Sequence, residues 1–109
     1  MTGSVDKTVR HDVEHGINQK RVLEIRYKDD RYRLVEPLYT FVSKEDVELV
    51  LTWQVAGYHF DGQLPDFRSF RLFEIKEAKI LESHFEPPPH HKDKLAALEP
   101  VKVLVSITD

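Results

Sequence analysis

Alternation of apolar and polar residues predicts that this chain is built mainly of β-strands, preceded by one helix. The helix is indicated by apolar residues at every fourth position, and Ser4 is the residue we expect to cap it. Gly16 lies on the same face, where the lack of a side chain lets another element approach closely. The apolar stripe consists of Val5, Val9, Val13 and Ile17.

Short alternating runs after the helix predict five or six strands for the barrel and an extra C-terminal strand. The first two, 22–28 and 31–36, flank the acidic pair Asp29–Asp30, which is typical of a hairpin turn. Pro37 has no N–H, so we expect it to end the pairing or to lie at an edge. Further runs predict strands at 38–42, 47–56, 67–73 and 101–107, a loop at 57–66, and a helical turn at 73–76 followed by a strand to Glu82.

The length of 109 residues fits one domain, with a helix at 1–20, a β-barrel at 21–86, and a Pro-rich linker with a C-terminal strand at 87–109. Short strands joined by tight turns favour a small barrel over an alternating α/β sheet. The last strand follows a polar linker at 90–94. It could pair with the barrel, with a second copy of the chain, or with a neighbouring domain.

The overall composition narrows the possible functions. The formal net charge is −3, so the chain lacks the general positive charge of nucleic-acid-binding proteins, although all seven arginines lie at or before Arg71. Cysteine is absent, which excludes disulfides and thiolate metal sites. No signal-peptide pattern is visible and no apolar run approaches the ~20 residues of a membrane helix. We therefore expect a soluble, cytoplasmic protein with no membrane partner.

Several motifs follow one another between Ile17 and Pro87. They are Ile25-x-Tyr27, Arg33-x-Val35-Glu36-Pro37, Leu51-x-Trp53-Gln54-Val55-x-Gly57, and the aromatic–arginine run from Phe67 to Leu72. In this order they resemble the WYL domain, a bacterial module with an Sm-like or SH3-like β-barrel. The literal Trp-Tyr-Leu tripeptide is absent, and so is the helix-turn-helix or winged DNA-binding domain that precedes the barrel in larger members.

The resemblance implies a ligand-sensing or accessory regulatory role in transcription or defence. In larger members, arginines and aromatic residues of the barrel are implicated in binding nucleic acid or a nucleotide-like effector. The planar guanidinium suits phosphate because it donates to two oxygens at once, and Trp53 or Tyr58 could stack on a base. The ligand-binding residues that we predict are Arg68, Arg71, Arg33, Trp53, Gln54 and Arg26.

The same residues also have purely structural interpretations, which stay open at this point. Arg68 and Arg71 point to opposite faces of a regular strand, and could share a pocket only across a bulge. Trp53 alternates with leucines, as a core residue does, and Gln54 points the other way. Each arginine could instead pair on a solvated surface with a carboxylate of Glu36, Glu48, Asp66 or Glu74.

The histidines and hydroxyl residues do not form a recognisable catalytic or metal-binding pattern. His84, His90 and His91 lie beside three consecutive prolines, which do not provide the rigid surroundings of a zinc site. The helical pair His11 and His15 belongs to HDVEH, which is not the HExxH motif of zinc proteases. We therefore predict no metal, no cofactor and no enzymatic activity.

Two functions remain. The first is a binding module for an anionic or nucleotide-like effector, with single-stranded nucleic acid as a further possible partner. The alternative is a protein–protein interaction module without a small ligand, in which the C-terminal strand mediates homo-oligomerisation, since an exposed apolar strand readily accepts another strand.

Overall fold

The elements are α1 (Lys7–Gln19), β1 (Arg21–Tyr27), β2 (Tyr32–Val42), β3 (Glu48–Gly57), β4 (Asp66–Arg71), a 3₁₀ turn (Leu72–Glu74), β5 (Ile75–His84), α2 (His91–Ala97) and β6 (Lys102–Ser106). They come from a computed structural model that describes residues 4–59 and 62–108. The fold is mainly β with an N-terminal helix, as the alternation predicted. Part of the predicted loop 57–66 lies outside the described residues.

The described strands are all antiparallel and form one open sheet. Its order is β4-β3-β2-β1-β5, and β6 pairs with the second half of β2. Within the described ranges no ladder joins β4 to β5, so closure into a barrel is not confirmed.

Helix α1 begins two residues later than the sequence suggested. Asp6, rather than Ser4, caps it, because the Asp6 carboxylate accepts hydrogen bonds from the backbone N–H groups of Thr8 and Val9 at 2.8 and 3.1 Å. The apolar stripe is confirmed, since Val9, Val13 and Ile17 are all buried. The sheet therefore supplies the burial that a helix with so narrow a stripe lacks on its own.

Gly16 marks the closest approach of α1 to the sheet. A Cβ atom built there would lie 2.9 Å from Cδ2 of Leu23 and 3.1 Å from Cγ of Pro37. These distances are shorter than ordinary carbon–carbon contacts, so a larger residue would push the helix away from β1 and β2. The interpretation of Gly16 as a point of close packing is confirmed.

Strand β2 continues through Pro37, so the predicted runs 31–36 and 38–42 form one strand, whereas the pairing with β1 does end before Pro37 as expected. The ladder from β2 to β1 ends at Val35, and the ladder to β6 begins at Tyr39. Pro37 lies between these two partners, where its missing N–H removes no ladder bond on that side. On the other side β2 pairs with β3 throughout, and a register shift after Pro37 absorbs the irregularity.

The C-terminal segment folds back onto β2. Residues 91–97 form α2, so the prediction of a polar linker over 90–94 was wrong. The helix is held there because the His91 ring is buried, with its Nδ1 2.6 Å from the Tyr39 hydroxyl. Strand β6 then pairs with β2, which is the first of the three partners left open by the sequence.

Candidate functional site

Three of the six predicted binding residues meet on one face of the sheet. Arg33 of β2 lies opposite Ile25 and Gly57, Arg68 of β4 lies opposite Thr52, and Gln54 is two residues farther along β3. Residues directly opposite each other on neighbouring strands share a face, so these side chains converge. They border a cavity of about 130 Å³, which we call the arginine cavity. Its lining residues are Arg33, Gln54, Tyr58, His59, Arg68 and Phe70.

Arg33 is the most enclosed of the predicted arginines, with only 7% of its surface exposed. Its guanidinium carbon lies 5.4 Å from the ring centre of Tyr27, 5.1 Å from that of Tyr58 and 5.5 Å from that of Phe70. Aromatic faces attract a cation at these distances, and a guanidinium tolerates such surroundings better than an ammonium group does. The three rings therefore hold a positive charge at the wall of the cavity.

A carboxylate from the β1–β2 turn neutralises this charge. Nη1 and Nη2 of Arg33 donate to the two carboxylate oxygens of Asp29 at 3.1 and 2.7 Å. This pair lowers the pKa of Asp29 to about 2, chiefly through the hydrogen bonds from Arg33. The forked arrangement matches the one by which arginine binds phosphate or carboxylate ligands.

Arg68 supplies the second cation of the cavity. Its Nη2 lies 2.8 Å from Nδ1 and 3.1 Å from Nε2 of His59, and the ring accepts from the guanidinium. Its backbone is fixed as well, because the Thr52 hydroxyl donates to the Arg68 carbonyl at 2.9 Å. Thr52 is fully buried, so this bond stabilises the pairing of β3 with β4 just behind the cavity.

Gln54 shapes the cavity from inside the sheet. It is 1% exposed, and its Nε2 donates to the carbonyls of Tyr58 at 2.8 Å and Ala56 at 3.2 Å. Those bonds fold the chain after β3 so that the Tyr58 ring faces Arg33. Gly57 permits the bend, because its φ is +96° and a Cβ there would lie 2.5 Å from the Tyr32 carbonyl. Gln54 is thus a buried positioning residue of the cavity wall.

The other three predicted residues lie elsewhere. Trp53 occupies the opposite face of β3, where its ring meets the edge of Phe67 at 4.7 Å between ring centres and Glu36 lies opposite it. Burial raises the pKa of Glu36. Trp53 is partly buried and packs against the core.

Arg71 and Arg26 are held by surface carboxylates. The β3–β4 register is regular from Leu49 to Gln54, so Arg71 faces away from Arg68, as strand parity predicted. Its Nη1 donates to Glu74 at 3.0 Å. Arg26 pairs with Asp30 at 2.8 Å. For these two arginines the geometry matches the structural interpretation, in which each pairs with a carboxylate on the surface.

Three important residues of the cavity were not predicted. Phe70 carried a usable signal, because it lies two positions after Arg68 and must share its face. His59 is in a loop without periodicity, so no sequence pattern indicates its direction. Asp29 was interpreted only as a turn residue, since the pairing of a turn carboxylate with a strand arginine depends on the local geometry.

The remaining histidines do not assemble into a metal site in the described part of the chain. Over residues 4–59 and 62–108 there is no group of three or more His, Cys, Asp or Glu side chains that could hold a metal ion. His91 is instead buried against Tyr39. Another depression, of about 510 Å³, is lined by the single segment 86–93.

No protein-family model and no curated protein matches this chain. Among the described helices, none has the length and apolar character required to cross a bilayer.

Proposed function

We propose that this protein is a non-enzymatic regulatory module that binds a small anionic effector in the cavity between Arg33 and Arg68. The observation that carries the proposal is the convergence of two guanidinium groups with the Tyr58 and Phe70 rings around a hollow of about 130 Å³. Cations next to aromatic rings form a site for a charged group attached to a flat one. A nucleotide-like effector has both parts.

The size of the cavity limits how the ligand binds. Pockets that enclose a whole drug-sized ligand measure about 300–1,000 Å³, whereas an engineered cavity of about 150 Å³ accommodates benzene. The cavity of about 130 Å³ therefore admits one phosphate or one small ring, and the rest of the ligand lies outside. Single-stranded nucleic acid satisfies this requirement as well as a free nucleotide does.

The resemblance of the strand motifs to the WYL domain supports a regulatory role, in transcription or defence, for such a sensor. An Sm-like or SH3-like barrel belongs to the same proposal. It is supported by one hydrogen bond, in which the Tyr27 hydroxyl of β1 accepts from the Arg71 backbone N–H of β4 at 3.2 Å. That bond connects two strands that are not neighbours in the sheet order.

Titration with inorganic phosphate, adenosine monophosphate and a short oligothymidylate at low salt tests the proposal. We expect saturable binding of at least one of these probes by the parent. Arg68→Ala should weaken it at least about tenfold, since a charge-assisted hydrogen bond contributes about 1.5–3 kcal/mol. Arg71→Ala is the matched control, because Arg71 lies on the same strand but on its other face.

The proposal is wrong if the parent binds none of the three probes. It is also wrong if Arg68→Ala binds as tightly as the parent, or if both arginine variants lose affinity equally. In the last case the measured binding reflects general surface charge rather than the cavity.

A second function, assembly through β6, is favoured by one observation. Val101, Val103 and Leu104 are 67%, 38% and 40% exposed, although each is apolar. Strand β6 pairs with β2 along one edge, and no described residue pairs with its other edge. A second copy of β6 could extend the sheet there. If so, Leu104→Lys should convert a dimer into a monomer in light scattering, and a parent that is monomeric at high concentration contradicts this function.

A further inference from the structure

Besides the exposed ion pair of Lys28 with Glu74 at 3.0 Å, the β1–β2 turn is attached to the rest of the molecule at three points. Asp29 pairs with Arg33. Asp30 receives hydrogen bonds from Arg26 and Lys76, each at 2.8 Å. The guanidinium carbon of Arg31 lies 4.2 Å from the ring centre of Tyr58. Two of these attachments, those of Asp29 and Arg31, end at the wall of the arginine cavity.

The three attachments differ in strength. Asp30 has a side chain that is 65% exposed, and ion pairs of this kind contribute little because water screens them. Arg31 is itself exposed. The Asp29 pair joins the turn to a guanidinium whose side chain is only 8% exposed, and it does so through both terminal nitrogens. It is therefore the attachment that chiefly determines the position of the turn.

We propose that Asp29 is an internal competitor for the anion-binding face of Arg33, so that effector binding displaces Asp29 and releases the β1–β2 turn. The proposal rests on the function proposed above. It adds a way in which ligand binding in the cavity changes the position of an exposed turn. A bound phosphate and the Asp29 carboxylate require the same two N–H groups, so they exclude each other. With Asp29 displaced, the turn is held only by the exposed contacts of Lys28, Asp30 and Arg31, so these side chains exchange more readily with another molecule.

Charge determines which ligand can displace Asp29. A monoanionic carboxylate ligand would only exchange one bidentate pair with Arg33 for another. A phosphate dianion has a second charge, so it gains additional attraction from Arg33 and from Arg68, which lines the same cavity. Protonation does not open the site under ordinary conditions, because the pKa of Asp29 is about 2. Release of the turn at physiological pH thus does not depend on protonation of Asp29.

Isothermal titration of inorganic phosphate into the parent, Asp29→Asn and Asp30→Asn tests the competition. An internal competitor that occupies the site about 90% of the time weakens apparent affinity about tenfold. We therefore expect Asp29→Asn to bind phosphate about tenfold more tightly than the parent. Asp30→Asn removes the same charge at the neighbouring residue, whose carboxylate does not contact the cavity. The phosphate affinity of this variant should stay close to that of the parent.

The outcomes separate this inference from the proposed function. If the parent binds phosphate and Asp29→Asn binds it equally or less tightly, Asp29 is a structural partner of Arg33 and the competition is wrong, although the binding function stands. If both variants gain affinity equally, the effect is one of net charge and the competition is again wrong. If neither the parent nor Asp29→Asn binds any probe, both proposals fail.

A second measurement uses the unaltered chain and does not depend on whether Asp29→Asn folds. The backbone N–H of Arg31 donates to Oδ1 of Asp29 at 3.0 Å. In a phosphate titration followed by NMR, the Arg31 amide should shift upfield as this acceptor leaves. The Val47 amide, which donates to the Ser43 hydroxyl in the β2–β3 turn, serves as the reference and should stay in place. An unmoved Arg31 amide at saturating phosphate overturns the inference.

Discussion

The sheet is packed in two different ways along the same strands. Where α1 covers it, Ile17 and Leu23 are buried and Gly16 lies almost in contact with Pro37. We call this part the helix region. Toward the β1–β2 turn the inward side chains are Arg33, Gln54 and Arg68, and they leave a cavity of about 130 Å³. This part contains the arginine cavity.

The difference separates a region that is filled by apolar packing from one that is lined by charged and polar side chains. Apolar burial in the helix region stabilises the fold at about 25 cal/mol per Å² of area removed from water. A buried ion pair contributes weakly to stability, because desolvation of the charges offsets much of their attraction. The Arg33–Asp29 pair should therefore add less to the stability of the fold than the apolar contacts of the helix region do.

Ile17→Ala should have the largest effect on stability. Ile17 is fully buried in the helix region, and truncation there leaves a void, so we expect the free energy of unfolding to fall by about 3 kcal/mol. Urea denaturation measures this loss. Phosphate affinity of the folded variant should equal that of the parent, and a loss of affinity would connect the two regions. Val101→Ala, at a residue 67% exposed, is the control and should change little.

Gly16→Ala should destabilise the protein by about 1–2 kcal/mol, although alanine is the better helix former. The new methyl group would lie 2.9 Å from Cδ2 of Leu23, which forces a shift of that side chain or of the helix. Asn18→Ala lies on the exposed side of α1 and should be neutral or slightly stabilising. Thermal unfolding of both variants tests this difference in stability. A stabilised Gly16→Ala variant would show that the packing around Gly16 can accommodate a methyl group.

Arg33→Met should weaken phosphate binding and leave stability nearly unchanged, which is the reverse of the result expected for Ile17→Ala. The unbranched side chain fills much of the same space between the rings, and Asp29 remains partly solvated, so the free energy of unfolding should change by less than about 1 kcal/mol. Phosphate affinity should fall at least about tenfold. Arg71→Met, measured by the same titration, should retain the affinity of the parent. A large loss of stability in Arg33→Met would make the arginine cavity a structural feature instead.

The Asp29 carboxyl should make the parent more sensitive to acid than Asp29→Asn. Its pKa in the folded state, about 2, is lower than the ordinary value of 3.8, so the folded state binds fewer protons in this interval and stability falls as the pH falls. The contribution is fully present above the ordinary value and is lost as the pH falls through about 2. Because Asp29 is partly exposed, the parent and the variant should differ by about 1 kcal/mol or less at pH 5. Urea denaturation between pH 5 and pH 2 measures how this difference disappears.

Glu36→Gln should have the smallest effect, with the opposite sign. Burial raises the pKa of Glu36, so ionisation is harder in the folded state and the carboxylate lowers stability as the pH rises through that raised value. Removing the charge should therefore stabilise the protein at pH 7 by about 0.5 kcal/mol or less. Below the ordinary pKa of the carboxyl, the parent and the variant should unfold alike in urea. Destabilisation at pH 7 would indicate that Glu36 has an ionic partner.

Local patterns in the sequence were enough to predict the elements and the first hairpin. Alternation located most of the strands within about two residues, and the stripe from Val9 to Ile17 located α1 and its buried face. Strand parity also separated Arg68 from Arg71 correctly, since the register between β3 and β4 carries no bulge. These features depend on local periodicity, which can be seen in residues that lie close together in the sequence.

The face of each strand that points inward could not be predicted from local patterns. In the run RYRLVE, Tyr32 and Leu34 look like the core face, yet Tyr32 is 51% exposed and Arg33 is buried. Alternation states that two residues share a face, but the register with distant strands determines whether that face is covered. For the same reason Gln54 is buried, and Asp29 lies in reach of Arg33 only because the turn brings it there.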